Sequence, residues 1–186
     1  MRKLLVVLIV MVASYGLAAR KPADTLTTGK WEFVQNMGQW PLPVHFAAHI
    51  HTGALFFSDN CFTVTQLKPE DLQAFHDAKH SGKPFPSTFI DAAAYRVSFV
   101  ESNPNAHIVG NQPYNYYHNY YLGNNPKKWA TNVPIFARLL YQELYPGVNL
   151  LFLDDEDYMK YEFHVAPHAD PTQIRMRYDG VKSMDL

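Results

Sequence analysis

The sequence predicts a mainly β, antiparallel, sandwich-like domain with one short helix, and three observations support this prediction. Aromatic residues make up 15% of the 186 residues, with 12 Tyr and 12 Phe, and such residues favour strands. Short runs in which apolar and polar side chains alternate recur along the chain, separated by Gly, Pro, Asn and Asp. Only the segment at about 69–80 has helical start and stop signals.

The stretch 144–165 is the centre of the predicted sheet. Two hydrophobic runs flank the acidic segment Asp154-Asp-Glu-Asp, which is the pattern of a β-hairpin. The run 148–153 is apolar on both faces, which is typical of a central strand covered above and below. In the second run Tyr161, Phe163 and Val165 alternate with polar residues.

The other strands follow from alternation and from turn residues between the runs. In chain order they are predicted at 31–34, 44–51, 54–58, 62–65, 95–99, 107–109, 116–122, 133–141 and 174–178. Pro134 places the start of its strand at an edge or a bulge. Residues 127–130 are predicted to form a single helical turn.

The helix is predicted from its ends. Pro69 suits a first helical position, where an N–H would be unpaired anyway. Glu70 and Asp71 in the first turn suit the positive end of the helix dipole. Gly82 and Pro84 then end the helix.

The N-terminus predicts export. Arg2 and Lys3 precede an apolar run and then small residues as far as Ala19, which is the layout of a Sec-type signal peptide. We therefore expect a signal peptide at 1–19, a flexible lead-in at 20–30 and one β-rich domain at 31–186, secreted or at the cell surface with no membrane span. The lone Cys61 predicts a fold without an internal disulfide.

Charge excludes one class of partner. Lys and Arg number 16 against 17 acidic residues, and the formal net charge is −1, so no basic field attracts a nucleic acid backbone.

Several motifs together carry a family resemblance. They are Phe-Val-Gln-Asn-Met-Gly-Gln-Trp at 33–40, Glu-Ser-Asn-Pro-Asn at 101–105, Asn-Tyr-Tyr-Leu-Gly-Asn-Asn-Pro-Lys-Lys-Trp at 119–129, Leu-Tyr-Pro-Gly-Val-Asn-Leu at 144–150, Lys-Tyr-Glu-Phe-His-Val-Ala-Pro-His-Ala-Asp-Pro at 160–171 and Ile-Arg-Met-Arg-Tyr-Asp-Gly at 174–180. From about residue 31 onward the chain resembles the N-terminal domain of unknown function of large secreted Bacteroidetes-type proteins.

That resemblance implies a place in a larger protein. In the family the domain precedes β-propeller-type or PKD-like repeats. A gliding-motility-type C-terminal domain, which directs type IX secretion, often closes the chain. Family members usually have Gly where this chain has His168, and they continue past the Tyr-Asp-Gly strand. The resemblance therefore implies a truncated member whose domain is incomplete at its C-terminus, and it supplies no catalytic residues.

An aromatic stretch at 114–121 is the candidate ligand site. Tyr114, Tyr117 and Tyr120, with Asn119, have the chemistry to stack on sugar rings and hydrogen-bond their hydroxyls. The alternative is that alternate tyrosines pack into the core with their hydroxyls at the edge.

The acidic segment is the candidate metal site. Asp154, Asp155 and Asp157 offer clustered carboxylates that suit weak calcium binding outside the cell. The pattern lacks the glycine and alternating Asp of a calcium loop, so a charged, solvated hairpin tip is the simpler interpretation.

No nucleophile has a supporting motif. The serines lack a Gly-x-Ser-x-Gly context, and Cys61 lies in a predicted strand. The sequence therefore predicts no enzyme. The leading hypothesis is a structural or adhesion-type extracellular module that contacts other surface proteins or modules. The alternative is a carbohydrate-binding module that uses the stretch 114–121.

Overall fold

A computed structural model describes residues 31–50, 52–82, 90–155 and 158–182. Within them the chain forms one helix, α1 (Pro69–Ser81), and ten strands. The strands are β1 (Phe33–Gln35), β2 (Phe46–Ile50), β3 (Gly53–Ser58), β4 (Cys61–Leu67), β5 (Ala92–Phe99), β6 (His107–Tyr120), β7 (Ala130–Tyr145), β8 (Val148–Asp155), β9 (Tyr158–Val165) and β10 (Met176–Asp179). The predicted fold class and helix are confirmed, whereas the predicted signal peptide and lead-in lie outside the described residues.

The strands form a single, strongly curled antiparallel sheet, a half-barrel. Their order is β10-β5-β4-β3-β2-β1-β7-β8-β9, and β6 pairs with β7 beside this path. The predicted hairpin is confirmed, since β8 and β9 pair from Val148 opposite Val165 to Asp155 opposite Tyr158.

The long strand β7 makes the sheet turn back on itself. Near its middle Phe136 pairs with Phe33 of β1, and further along Leu140 pairs with Leu151 of β8. β6 pairs with β7 over both regions, so it lies along the opposite edge. On one edge β7 pairs first with β1 and then with β8. As a result, β8 and β9 pack against the inner face of the other strands.

The core lies inside this curl. Phe152 of β8 is fully buried, and its ring centroid lies 5.0 Å from that of Phe57 on β3 and 5.4 Å from that of Phe62 on β4. Phe99 of β5 and Tyr141 of β7 meet edge to face at 5.4 Å. Strands that are distant in the sheet order therefore share one core, which gives the two packed layers of a sandwich from one sheet.

Two buried tyrosines hydrogen-bond across the curl. The hydroxyl of Tyr141 lies 3.0 Å from the carbonyl oxygen of Ser58 and 3.3 Å from that of Cys61. The hydroxyl of Tyr145 donates to the carbonyl oxygen of Arg175 at 2.9 Å. Burial raises the pKa of Tyr141 well above its ordinary value, so this phenol stays a donor over the whole physiological range.

A second, smaller cluster lies on the other face of the sheet. Adjacent strand residues point to opposite faces, so Val34 faces away from the core that contains Phe33. Val34, Ala130, Val133 and Ile135 are buried together there, and Trp40, Tyr114 and Tyr120 pack over them. We call this group the outer cluster.

The helix begins and ends as predicted. Pro69 is its first residue, and Gly82, with φ of 66°, caps it by donating its N–H to the carbonyl of Ala78. The carboxylate of Asp71 accepts the backbone N–H of Asp91 at 3.0 Å, which fastens the first turn to the approach of β5. No helix of the described segments is long and apolar enough to cross a membrane.

One prediction about the strands is wrong. The separate strands expected at 107–109 and 116–122 are a single 14-residue strand, β6, which ends at Tyr120. Gln112 has φ of 57°, and the register against β7 shifts between Pro113 and Tyr117. The bulge accommodates residues whose sequence is typical of a turn. The pairing of β6 with β7 therefore continues on both sides of it.

Candidate functional site

The candidate site lies on the ribbon formed by β6 and β7. Register shifts occur between Pro113 and Tyr117 and again between His118 and Tyr120. Asn132 on the partner strand has φ of 55°. Such bulges increase local twist and change the direction of side chains, and they occur often beside functional sites.

Side chains of β6 contact the carboxylate of Glu32 at one part of the ribbon. Glu32, just before β1, accepts a hydrogen bond from the hydroxyl of Tyr116 at 2.7 Å, and its other oxygen lies 3.4 Å from Nε2 of His118. The ring of Tyr116 stacks on that of Tyr114 at 5.0 Å, and the ring of His118 lies 6.2 Å from that of Tyr120. Tyr116 and His118 therefore contact one carboxylate, and Tyr114 and Tyr120 pack beside them.

The carboxylate changes the acidity of its neighbours. Loss of hydration at the phenol, together with the hydrogen bond and negative charge of Glu32, raises the pKa of Tyr116 to about 12. Partial burial and the same charge raise the pKa of Tyr120. Both phenols are therefore neutral near pH 7.

Three exposed rings near the end of the ribbon are together called the aromatic surface. Tyr117, Tyr121 and Trp129 have 56%, 60% and 41% of their area exposed. Tyr121 and Trp129 meet almost at right angles, 85°, with centroids 5.2 Å apart. The indole N–H of Trp129 donates to the carbonyl of Gly123 at 3.1 Å, which fixes the orientation of its ring.

Asn119 lies in the segment between two of these rings. Its Oδ1 accepts the backbone N–H of Asn132 at 2.9 Å. With the oxygen held in this way, its amide NH₂ is the group that remains to donate to a hydroxyl oxygen of a ligand.

The four predicted ligand residues are thus in different surroundings. Tyr114 and Tyr120 pack on the outer cluster, with the hydroxyl of Tyr114 lying 3.5 Å from the carbonyl of Trp31 and the ring of Tyr120 lying 5.5 Å from that of Trp40. Tyr117 and Asn119 are exposed. Tyr114 and Tyr120 therefore pack against apolar neighbours, as the alternative interpretation expects, and ligand binding by the stretch stays a prediction.

Sequence reasoning missed two side chains of this region. Glu32 is distant in sequence from β6 and becomes a neighbour only through the pairing of β1 with β7. Trp129 follows two lysines at the end of a 3-10 turn, Pro126–Lys128, and its place after this polar, turn-rich segment is the signal that could have drawn attention to it.

The predicted metal ligands are only partly described. Asp154 is half-buried near the end of β8. Asp155 is described by its backbone pairing alone, and Asp157 lies outside the described residues. Within the described segments no group of three or more His, Cys, Asp or Glu side chains is placed to hold a metal ion, and calcium binding stays a prediction.

The remaining ionisable groups lie at separate places. His45 pairs with Asp59 at 2.7 Å near the turn between β3 and β4. On β9, Glu162 pairs with Lys160 and His164, each at 3.1 Å, and the hydrogen bonds from His164 and then Lys160 lower the pKa of Glu162. Burial raises the pKa of the Cys61 thiol, which disfavours the nucleophilic thiolate.

Comparison with known proteins gives a family but no function. No curated protein and no solved structure matches the chain. The family model for a domain of unknown function, DUF7948, matches residues 33–186, which is nearly all of the predicted domain. The chain therefore belongs to the DUF7948 family.

Proposed function

We propose that this domain is a non-catalytic, adhesion-type recognition module of an exported protein, and that glycans bind to its aromatic surface. The signal-peptide layout of residues 1–19 supports export. The exposure of Tyr117 in β6, and of Tyr121 and Trp129 just beyond the ends of β6 and β7, carries the proposal. Tyr and Trp rings offer large, rigid apolar faces at little cost in conformational entropy.

The chemistry of the surface suits sugars. Pyranose rings have apolar C–H faces that stack on aromatic rings, and their hydroxyl oxygens accept hydrogen bonds of the kind that Asn119 can donate. The perpendicular rings of Tyr121 and Trp129 form a corner that contacts two sides of one sugar unit.

A glycan array probed with the purified chain tests this proposal. We expect binding to a defined class of glycans, and we expect its loss when Tyr117, Tyr121 and Trp129 are all changed to Ala. Phe75→Ala is the matched control, because Phe75 is 40% exposed on α1. Equal binding by the triple variant, or no binding of the unchanged chain to any glycan, contradicts the proposal.

The wider context belongs to the same proposal. The resemblance to Bacteroidetes-type secreted proteins supports a place for this domain ahead of repeats and a type IX secretion domain. The reading frame downstream of this chain tests that context: repeats followed by a sorting domain support it, and an unrelated gene contradicts it.

A structural role is the second candidate, and the sheet edges favour it. β9 and β10 end the strand order, so each pairs with one neighbour in the described structure. Tyr161 on β9 is 39% exposed although it contacts Phe152 of the core. Unpaired edges with apolar side chains recruit further strands.

Light scattering during gel filtration separates the second candidate from the first. Edge-to-edge association predicts oligomers of the unchanged chain at high concentration and monomers of Tyr161→Lys. A chain that is monomeric at all concentrations contradicts the structural role and leaves glycan recognition unaffected.

A further inference from the structure

The carboxylate of Glu32 lies in surroundings that suit a positively charged ligand. Its side chain is 34% exposed, and its described partners are the hydroxyl of Tyr116 and Nε2 of His118. The phenol donates a hydrogen bond but no charge, and the imidazole supplies a charge only when it is protonated. Among the described segments, no lysine or arginine pairs with this carboxylate within 4 Å.

Aromatic rings adjoin this charge. Tyr116 is 43% exposed and stacks on Tyr114. The ring of Tyr120 packs 5.5 Å from that of Trp40, and the charge of Glu32 contributes to the raised pKa of Tyr120. Aromatic faces attract cations through their quadrupole, and rings combined with a carboxylate are the usual chemistry of ammonium recognition.

We propose that Glu32, together with Tyr116 and the neighbouring rings, binds an alkylammonium group. The ammonium donates hydrogen bonds to the carboxylate lone pairs that Tyr116 and His118 leave unused, and its carbon chain lies against the exposed Tyr116 ring. Amino sugars and lysine side chains both carry this group. A metal ion fits less well. Glu32 and His118 are two possible metal ligands, and the described residues place no third ligand beside them, whether carboxylate, imidazole or thiolate.

This site is distinct from the aromatic surface of Tyr117, Tyr121 and Trp129. The proposed glycan binding does not require Glu32, and ammonium binding does not require the exposed rings. Failure of one proposal therefore leaves the other standing.

Titration by NMR of the purified chain at pH 7.5 tests the inference. The probes are glucosamine with N-acetylglucosamine as its neutral counterpart, and Nα-acetyl-lysine amide with Nα-acetyl-norleucine amide as its neutral counterpart. We expect both amines to shift the ring signals of Tyr116 and His118, and the neutral counterparts to leave them unchanged. The amine that binds more tightly identifies the source of the natural ligand.

Glu32→Gln is the deciding variant, because it keeps the shape and the acceptor for Tyr116 but removes the charge. A charge-assisted hydrogen bond predicts that the variant binds the amine at least about tenfold more weakly. Glu162→Gln is the matched control, since it removes a carboxylate that pairs with Lys160 and His164 on β9, and we expect no change in affinity.

Three results overturn the inference: equal binding of an amine and its neutral counterpart, full amine affinity in Glu32→Gln, or no shift at Tyr116 and His118 with either amine. The last measurement uses the unchanged chain, so it decides the matter even if the variant fails to fold.

Discussion

Replacing Phe152 with alanine tests the packing that holds the curled sheet together. Phe152 is fully buried, and its ring contacts Phe57 and Phe62 from β3 and β4 as well as Tyr141 and Tyr161 from β7 and β9. It therefore joins strands from both layers of the core. Removing a buried phenylalanine ring costs about 3–5 kcal/mol, from lost transfer energy and from the cavity left behind.

The cost is large compared with the whole stability of a domain, which is about 5–15 kcal/mol. For a domain of this size each kcal/mol lowers the melting temperature by roughly 2–4 °C, so we expect a fall of about 6–20 °C. Urea unfolding followed by tyrosine and tryptophan fluorescence measures the free energy of unfolding, and an unchanged denaturant slope shows that the two-state analysis still applies.

Phe75→Ala is the matched control, because the same ring is removed from a position on α1 that is 40% exposed. We expect that variant to lose less than about 1 kcal/mol. If Phe152→Ala also lost less than about 1 kcal/mol, the two layers would not share one core, and our account of the fold would be refuted.

Three further predictions concern single positions. Gly110→Ala should destabilise the chain by about 1–3 kcal/mol in urea unfolding, because an added Cβ would overlap the ring of Phe136; an unchanged midpoint contradicts this. His168 has φ of 70°, a conformation that favours glycine, so His168→Gly should raise stability by about 0.5–1 kcal/mol, and a lower melting temperature would count against it. The pKa of Tyr116 is raised to about 12, so its contribution to stability is complete below about pH 10 and declines as the pH rises towards 12. Absorbance at alkaline pH should show one phenol that ionises at about pH 12 in the unchanged chain and is missing from Tyr116→Phe, and identical titration curves at high pH would contradict the contact with Glu32.

The fold class could be predicted because local patterns and long-range packing agree. The alternation at 161–165, the two-faced apolar run at 148–153 and the helix signals around Pro69 each correspond to an element of the structure. Each pattern lies within one strand or helix, so it is readable in a short window of sequence.

The curl could not be predicted in the same way. It depends on β7 pairing first with β1 and then with β8. A local sequence pattern can predict a strand, but it does not indicate which strands will be its neighbours in the sheet. The continuous strand β6 was missed for a related reason, since Gly110, Asn111 and Pro113 favour turns and the pairing with β7 keeps them in a strand.

The sequence shows some of the residues of the candidate site but not how they are arranged. The stretch 114–121 was identified by composition, but the division between half-buried Tyr114 and exposed Tyr117 depends on the bulges. Glu32 could not be identified, because its nearness to Tyr116 across 84 positions of sequence arises only from the sheet order.

Calorimetric titration with a glycan that the chain binds on the array tests the proposed function most directly. Changing Trp129 alone to alanine should weaken the affinity roughly two- to tenfold, the contribution of one stacked ring, and Phe75→Ala should leave it unchanged. The same affinity in Trp129→Ala and in the unchanged chain would contradict the claim that this chain recognises its ligand through the aromatic surface.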